Sequence, residues 1–298
     1  MQAVSTPEAR FAQLPDYPFA DHYVDLDGLA MHYVDEGPRE AAPVLMLHGE
    51  PSWSYLYRHM IPPVVAAGHR VIAPDLIGFG KSAKPVAGAS YSYAGHVAWL
   101  KSFTETLNLT DITLVCQDWG SLLGLRLAVE NEHRFARIVL ANGGLPTGDQ
   151  AMPKAFRYWQ TFARFSPWFP IGKIIDKGTT TALSTEVIAA YDAPFPSRRY
   201  KAGARAFPQL VPTRPDDPAA PANRAAWQRL EAWRKPFLTA FSDRDPITRG
   251  ADAQFRERVP GARGQAHTVI EDAGHFLQED RGPELADVVV RFIATTSG

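Results

Sequence analysis

The chain has a single cysteine, Cys116, among its 298 residues. One thiol excludes an internal disulfide framework, and no Cys/His cluster has the spacing of a zinc site. Long apolar runs are missing too. No stretch approaches the roughly 20 apolar residues of a membrane span. Residues 1–15 are polar and lack the apolar core of a signal peptide. A charge excess of either sign is also absent. The 31 Lys and Arg nearly match the 32 Asp and Glu, for a net charge of −1. That balance offers no general attraction to nucleic acid or to an anionic membrane. The expectation is a cytoplasmic globular protein with no nucleic-acid partner and no membrane partner. Composition does not separate monomer from dimer.

What is present is an apolar content of 45%, enough for a large core in one domain or one domain with an insertion. Residues 23–36 alternate apolar and polar around Asp27-Gly28, a hairpin signal. Short apolar runs follow at 44–47, 70–73, 112–115, 138–141, 237–241 and 267–270. Such runs suit parallel strands buried on both faces, and with the hairpin they make eight strands. Helical stripes lie between and after them, at Val97, Leu100, Thr104 and Leu107, and at Leu285, Val288, Val289, Phe292 and Ile293. The alternation predicts an α/β fold, a mostly parallel sheet with helices on both faces.

The alternation breaks once, between 141 and 237. The first part of this stretch is rich in aromatic residues (Phe156, Trp159, Phe162, Phe165, Trp168, Phe169), and the later part in proline. Residues 146–215 are expected to form a mostly helical cap inserted after the sixth strand. It would lie over the strands' C-terminal ends, where open α/β sheets bind ligands. Residues 1–145 and 216–298 would form the core domain, with the Pro/Ala stretch 212–222 as a connecting loop.

The run at 112–115 ends in Cys116-Gln117-Asp118-Trp119-Gly120. Small residues two before and two after a central residue mark a nucleophile elbow, a sharp strand-to-helix turn that holds the central side chain exposed. Here that residue is the acid Asp118. A carboxylate needs no base to attack, unlike a hydroxyl. Beyond the strand at 237–241 stand Asp243 and Asp245, and beyond the strand at 267–270 stands His275. The order nucleophile, acid, histidine is that of α/β-hydrolase triads. Asp243 and Asp245 share strand parity and either suits His275; Asp245, followed by Pro246-Ile247, is favoured. His48-Gly49-Glu50-Pro51 follows the strand at 44–47. In such folds this loop supplies one oxyanion-hole N–H and the residue after the nucleophile supplies the other, here Glu50 and Trp119. His48 reads as a structural residue bonding within the loop.

The stretches His48-Gly-Glu-Pro-Ser-Trp-Ser-Tyr-Leu-Tyr-Arg58, Gln117-Asp-Trp-Gly120 and Asp272-Ala-Gly-His-Phe276 resemble those of haloalkane dehalogenases of the α/β-hydrolase superfamily. The resemblance covers nearly the whole chain. One branch of that family carries its triad acid after the preceding strand, where this chain has Asn142-Gly143-Gly144. An amide there cannot hold the charge, so the resemblance is to the branch with its acid after the seventh strand, at Asp245. That branch places a second halide-binding tryptophan in the cap, in a Phe-x-x-Trp setting that Phe156-Arg-Tyr-Trp159 fits; Trp168 is the second choice. The resemblance further implies Trp119 as the first halide-binding tryptophan, and Phe156, Phe207 and Pro208 as pocket walls.

It implies a two-step hydrolysis: Asp118 displaces halide to form an alkyl ester, then His275-activated water cleaves the ester. The partners would be a halogenated alkane, water and a halide ion, with no metal and no organic cofactor. Epoxide hydrolases share the Asp-His-Asp set but use cap tyrosines to protonate the opened ring. Tyr158, Tyr191 and Tyr200 are the candidates here, and Trp159 argues for halide instead. A non-catalytic binding protein of this fold, the alternative from another class, usually lacks a triad member, and all three are present.

Overall fold

A computed structural model describes residues 1–296. The hairpin forms first, from β1 (His22–Leu26) and β2 (Leu29–Glu36). Asp27 and Gly28 have φ of 54° and 83°, the backbone a two-residue hairpin turn needs. Asp25 Oδ1 accepts the Gly28 N–H at 2.9 Å. Next come β3 (Pro43–Leu47), α1 (Ile61–Ala66), β4 (Arg70–Pro74), α2 (Tyr93–Thr106), β5 (Ile112–Asp118), α3 (Trp119–Glu130) and β6 (Phe135–Gly143). Five helices then follow without a strand: α4 (Lys154–Phe165), α5 (Ile171–Lys177), α6 (Thr185–Asp192), α7 (Ala202–Leu210) and α8 (Ala220–Leu230). β7 (Phe237–Ser242), α9 (Asp252–Arg258), β8 (Thr268–Ile270) and α10 (Leu277–Thr296), kinked at Arg281, complete the chain.

The eight strands form one sheet in the order β8-β7-β6-β5-β3-β4-β2-β1. Only the β1–β2 and β2–β4 pairs are antiparallel. Burial follows position. β3 is buried at every residue, whereas β1 at the edge alternates. The stripe on α10 is buried throughout. Burying each such side chain stabilises the fold by roughly 1.5–3 kcal/mol. No helix among the described residues is long and apolar enough to cross a membrane.

Three features depart from the sequence reading. β5 and β6 run past their apolar stretches, to Asp118 and Gly143, because Gln117 and Asn142 are themselves fully buried. A two-residue ladder pairs Ala3–Val4 with Lys84–Pro85 outside the main sheet; it is too short to leave a pattern. Finally, α8 begins inside the Pro/Ala stretch, with Pro221 in its first turn, where the missing N–H costs nothing.

Candidate active site

Asp118 sits where β5 hands over to α3, with φ 48° and ψ −124°. A non-glycine residue holds such a backbone only where its surroundings enforce it, and here the neighbours must be small. A Cβ on Gly120 would stand 2.0 Å from the Leu47 carbonyl oxygen, and one on Gly49 would stand 2.6 Å from Asp118 Oδ2. The glycines therefore let β3 and its loop close on the turn. That approach brings the Glu50 N–H to Asp118 Oδ2 at 2.7 Å. His48, fully buried, braces the loop: its Nδ1 donates to the Gly49 carbonyl at 2.9 Å and its Nε2 accepts the Leu76 N–H at 2.9 Å.

His275 follows β8 and presents Nε2 to Asp118 Oδ1 at 3.6 Å. Its Nδ1 lies 3.0 Å from Asp245 Oδ2. Asp245 is fully buried and also accepts the Ile247 N–H at 2.8 Å and the Thr248 hydroxyl. Asp243 instead turns outward, toward Arg244 and the Ala273 N–H. Burial alone would raise the Asp245 carboxyl, but His275, Thr248 and Ile247 together hold it at about 2. Burial likewise opposes the imidazolium, yet the Asp245 and Asp118 carboxylates outweigh it and raise His275 to about 10.

Two buried amides tie this assembly together. Asn142 Nδ2 donates to Ser242 Oγ at 2.7 Å and to the Gly274 and His275 carbonyls at 2.9 and 3.1 Å. Its Oδ1 accepts the Ser242 N–H at 2.8 Å. Asn142 thus joins the end of β6 to the end of β7 and to the His275 loop. Gln117 Nε2 donates to the His275 carbonyl at 3.1 Å. Reading the sequence identified Asn142 only as a residue that cannot be the triad acid. A buried amide at a strand's C-terminal end was the signal for this bracing.

The helical segment supplies the opposite wall. Trp159 on α4 stacks with Phe162 and Phe169 at 5.8 and 5.5 Å between ring centroids, and its indole lies beside the Glu50 carboxyl. Burial, reinforced by the Asp118 charge, pushes that carboxyl well above the usual range, and Trp159 offsets this only in part. A cavity of about 630 Å³ is lined by Asp118, Trp119, Phe156, Trp159 and His275. A second, of about 750 Å³, meets it at Asp118 and Trp119 and runs between residues 143–153, α8 and α9.

Residues 42–282 match the family model of the alpha/beta hydrolase fold. A haloalkane dehalogenase from Psychrobacter cryohalolentis is 56% identical, over 98% of each chain. Haloalkane dehalogenase 1 from Mycobacterium bovis is 56% identical, over 96% of this chain and 97% of that one. The chain belongs to the haloalkane dehalogenases. In solved form, a tetrameric haloalkane dehalogenase from Paraglaciecola agarilytica superposes with a TM-score of 0.90 at 38% identity, over 96% of this chain and 97% of that one.

Against the dehalogenase expectations, Phe156 lines both cavities. Phe207 and Pro208 do not line them. Phe207 is fully buried behind Trp119, 4.5 Å between ring centroids, and between Phe79 and His96. Pro208 is buried, and its carbonyl accepts Gln160 Nε2 at 2.9 Å. Phe207 thus supports Trp119 from the core side, whereas Pro208 ties α7 to Gln160 on α4. Trp168 lines the 630 Å³ cavity at its mouth, where it is 70% exposed. No tyrosine lines either cavity among the described residues. Tyr158 faces solvent, and Tyr191 donates to the buried Glu279 carboxylate. The groups that epoxide opening needs are therefore elsewhere.

Proposed function

We propose that Asp118, His275 and Asp245 carry the dehalogenase reaction in two steps, with residues 146–215 as the cap over them. The family activity is hydrolytic cleavage of a carbon–halogen bond to alcohol, halide and a proton. In the first step Asp118 Oδ1 attacks the halogen-bearing carbon, the C–O bond forms, and the C–halogen bond breaks with its electron pair on the halide. Trp119 and Trp159 are the halide's donors, since an indole N–H donates and never accepts. A neighbouring carboxyl pushed toward its neutral form, Glu50, does not repel the departing anion.

In the second step His275 Nε2 takes a proton from water, and the hydroxide adds to the Asp118 carbonyl carbon. Charge collects on Oδ2, which the Glu50 N–H already contacts at 2.7 Å, joined by the Trp119 N–H. A donor so placed contributes about 10²–10³ in rate. Collapse of this intermediate breaks the bond between the carbonyl carbon and Oδ1. The leaving alkoxide takes the proton held on His275 and departs as the alcohol, and the new carboxyl loses its proton to solvent, which restores the Asp118 carboxylate. Neither step calls for a metal or an organic cofactor.

The observation that carries this reading is the placement of Asp118 between two partners, with Oδ2 on the Glu50 N–H and Oδ1 facing His275. It also explains how a histidine raised to about 10 serves as a base. Alkylation makes Asp118 a neutral ester and removes one of the two charges that hold His275 protonated. The base is thus released only after the first step. Substrate class, water and halide are the partners this site needs. The test is mass spectrometry of His275→Phe with 1-bromobutane: the reading expects one butyl group on the peptide holding Asp118, and an unmodified peptide after halide release would overturn it.

A further inference from the structure

Four of the seven exposed large apolar side chains among the described residues lie within eleven positions: Tyr158, Phe162, Phe165 and Trp168. The first three recur at i, i+4 and i+7 on α4 and so form one outward stripe. Trp168 follows in the turn after the helix. Tyr158, Phe165 and Trp168 are 77%, 70% and 70% exposed. A stripe of this size is unusual on a free surface and marks an interaction site.

Its charge surroundings choose the partner. Residues 146–215 hold ten Lys and Arg against four Asp and Glu, while the whole chain carries −1. The rest of the molecule is therefore acidic, and the near-neutral total conceals the division. Lys154, Arg157 and Arg164 flank the stripe on α4, and Lys173 and Lys177 continue it on α5; all five are exposed. Two copies meeting face to face across a two-fold axis would each bring this same basic surface, so like charges would oppose the contact. Exposed tryptophan and tyrosine with flanking lysine and arginine instead suit the boundary of an anionic bilayer.

The cavity opens at the same place. Phe162, Trp168, Lys173 and Lys177 line the passage that reaches Asp118 and Trp119. We propose that the outer face of α4 and the turn after it dock on an anionic lipid surface, with the cavity mouth toward the bilayer. Apolar haloalkanes concentrate in lipid, so docking would let substrate enter without crossing water; this clause rests on the dehalogenase reading, whereas docking itself does not. Each Lys or Arg held near such a surface strengthens partition by about fivefold, an effect that salt screens.

The test is flotation of the full chain with two kinds of vesicle, phosphatidylcholine alone and phosphatidylcholine with an equal amount of phosphatidylglycerol. The protein should float with the anionic vesicles, stay behind with the neutral ones, and be released by high salt. Tyr158→Ser with Phe165→Ser, and separately Arg157→Glu with Arg164→Glu, should each lower partition at least about tenfold. Both double variants should hydrolyse 1-bromobutane in vesicle-free buffer as the parent does, since none of these side chains lines the cavities. Absence of anionic flotation, or unchanged partition of the variants, overturns the proposal. So does a parent that light scattering shows to be dimeric and the aromatic variant to be monomeric, because the occupant is then a second copy. A parent that floats but fails to hydrolyse 1-bromobutane would sink the dehalogenase reading and leave docking standing.

Discussion

Asp118, Asp245, His275 and the Glu50 loop stand on turns at strand ends, each tied by hydrogen bonds or close ion pairing to a neighbouring strand or to the turn after it. Trp159 and Phe162 stand on α4, held largely by ring contacts with each other and with Phe169 5.5–5.8 Å apart, and Trp168 in the turn after it is open to solvent. Hydrogen bonds fix direction as well as distance; stacked rings tolerate sliding. The sheet side therefore suits the covalent steps, which need fixed angles. The helical side suits admission of substrate and contact with the departing ion.

If that division holds, the largest loss should come from the sheet side. Asp118→Asn should lower halide release by at least about 10⁴-fold with an unchanged circular dichroism spectrum, as measured on protein shown not to have deamidated. Full activity would remove the nucleophile from the account. Trp159→Phe, on the helical side, keeps a ring but loses the N–H. Its kcat/KM for 1-bromobutane should fall about 10- to 100-fold, and a change under twofold would move the halide contact elsewhere, Trp168 first. Asn142→Ala tests the sheet side indirectly. It strands buried partners on two other segments, the end of β7 and the His275 loop, and should destabilise the protein by roughly 2–4 kcal/mol, seen as a lower denaturation midpoint. Stability within error of the parent would show that the three loops hold without it.

Asn142 also shows where sequence reading stopped. The elbow was legible because its constraint is local: small residues must flank a turn that passes within contact distance of β3. The order of Asp118, Asp245 and His275 was legible because each follows a recognisable strand. The role of Asn142 depends on three segments far apart in sequence meeting at one amide, and no periodicity encodes that. Phe207 was misplaced for a related reason. Its residue type suits a pocket wall, but the rotation of α7 against Trp119 decides which way the ring points. The Pro246-Ile247 that follows it favours Asp245 over Asp243, but shared strand parity leaves Asp243 open, and only Asp245 reaches His275.

A smaller effect probes the coupling across the sheet side. His275 is raised to about 10 from an ordinary 6.5. Its contribution to stability is therefore complete below about 6.5 and fades as pH rises through 10. Asp118→Asn removes one of the two charges responsible. Titration of His275 by NMR should show a pKa above 6.5 in the parent and a lower one in the variant. Equal values would mean that Asp118 does not govern the base, and the proposed release of His275 by alkylation would fall.

The central claim is that water attacks the Asp118 carbonyl carbon rather than the alkyl carbon. A single turnover of 1-bromobutane in ¹⁸O-water, with enzyme in excess, tests it directly. Unlabelled butanol is expected, with the label in the Asp118 carboxylate, found by mass spectrometry of its peptide. Label in the butanol with none in Asp118 would contradict it.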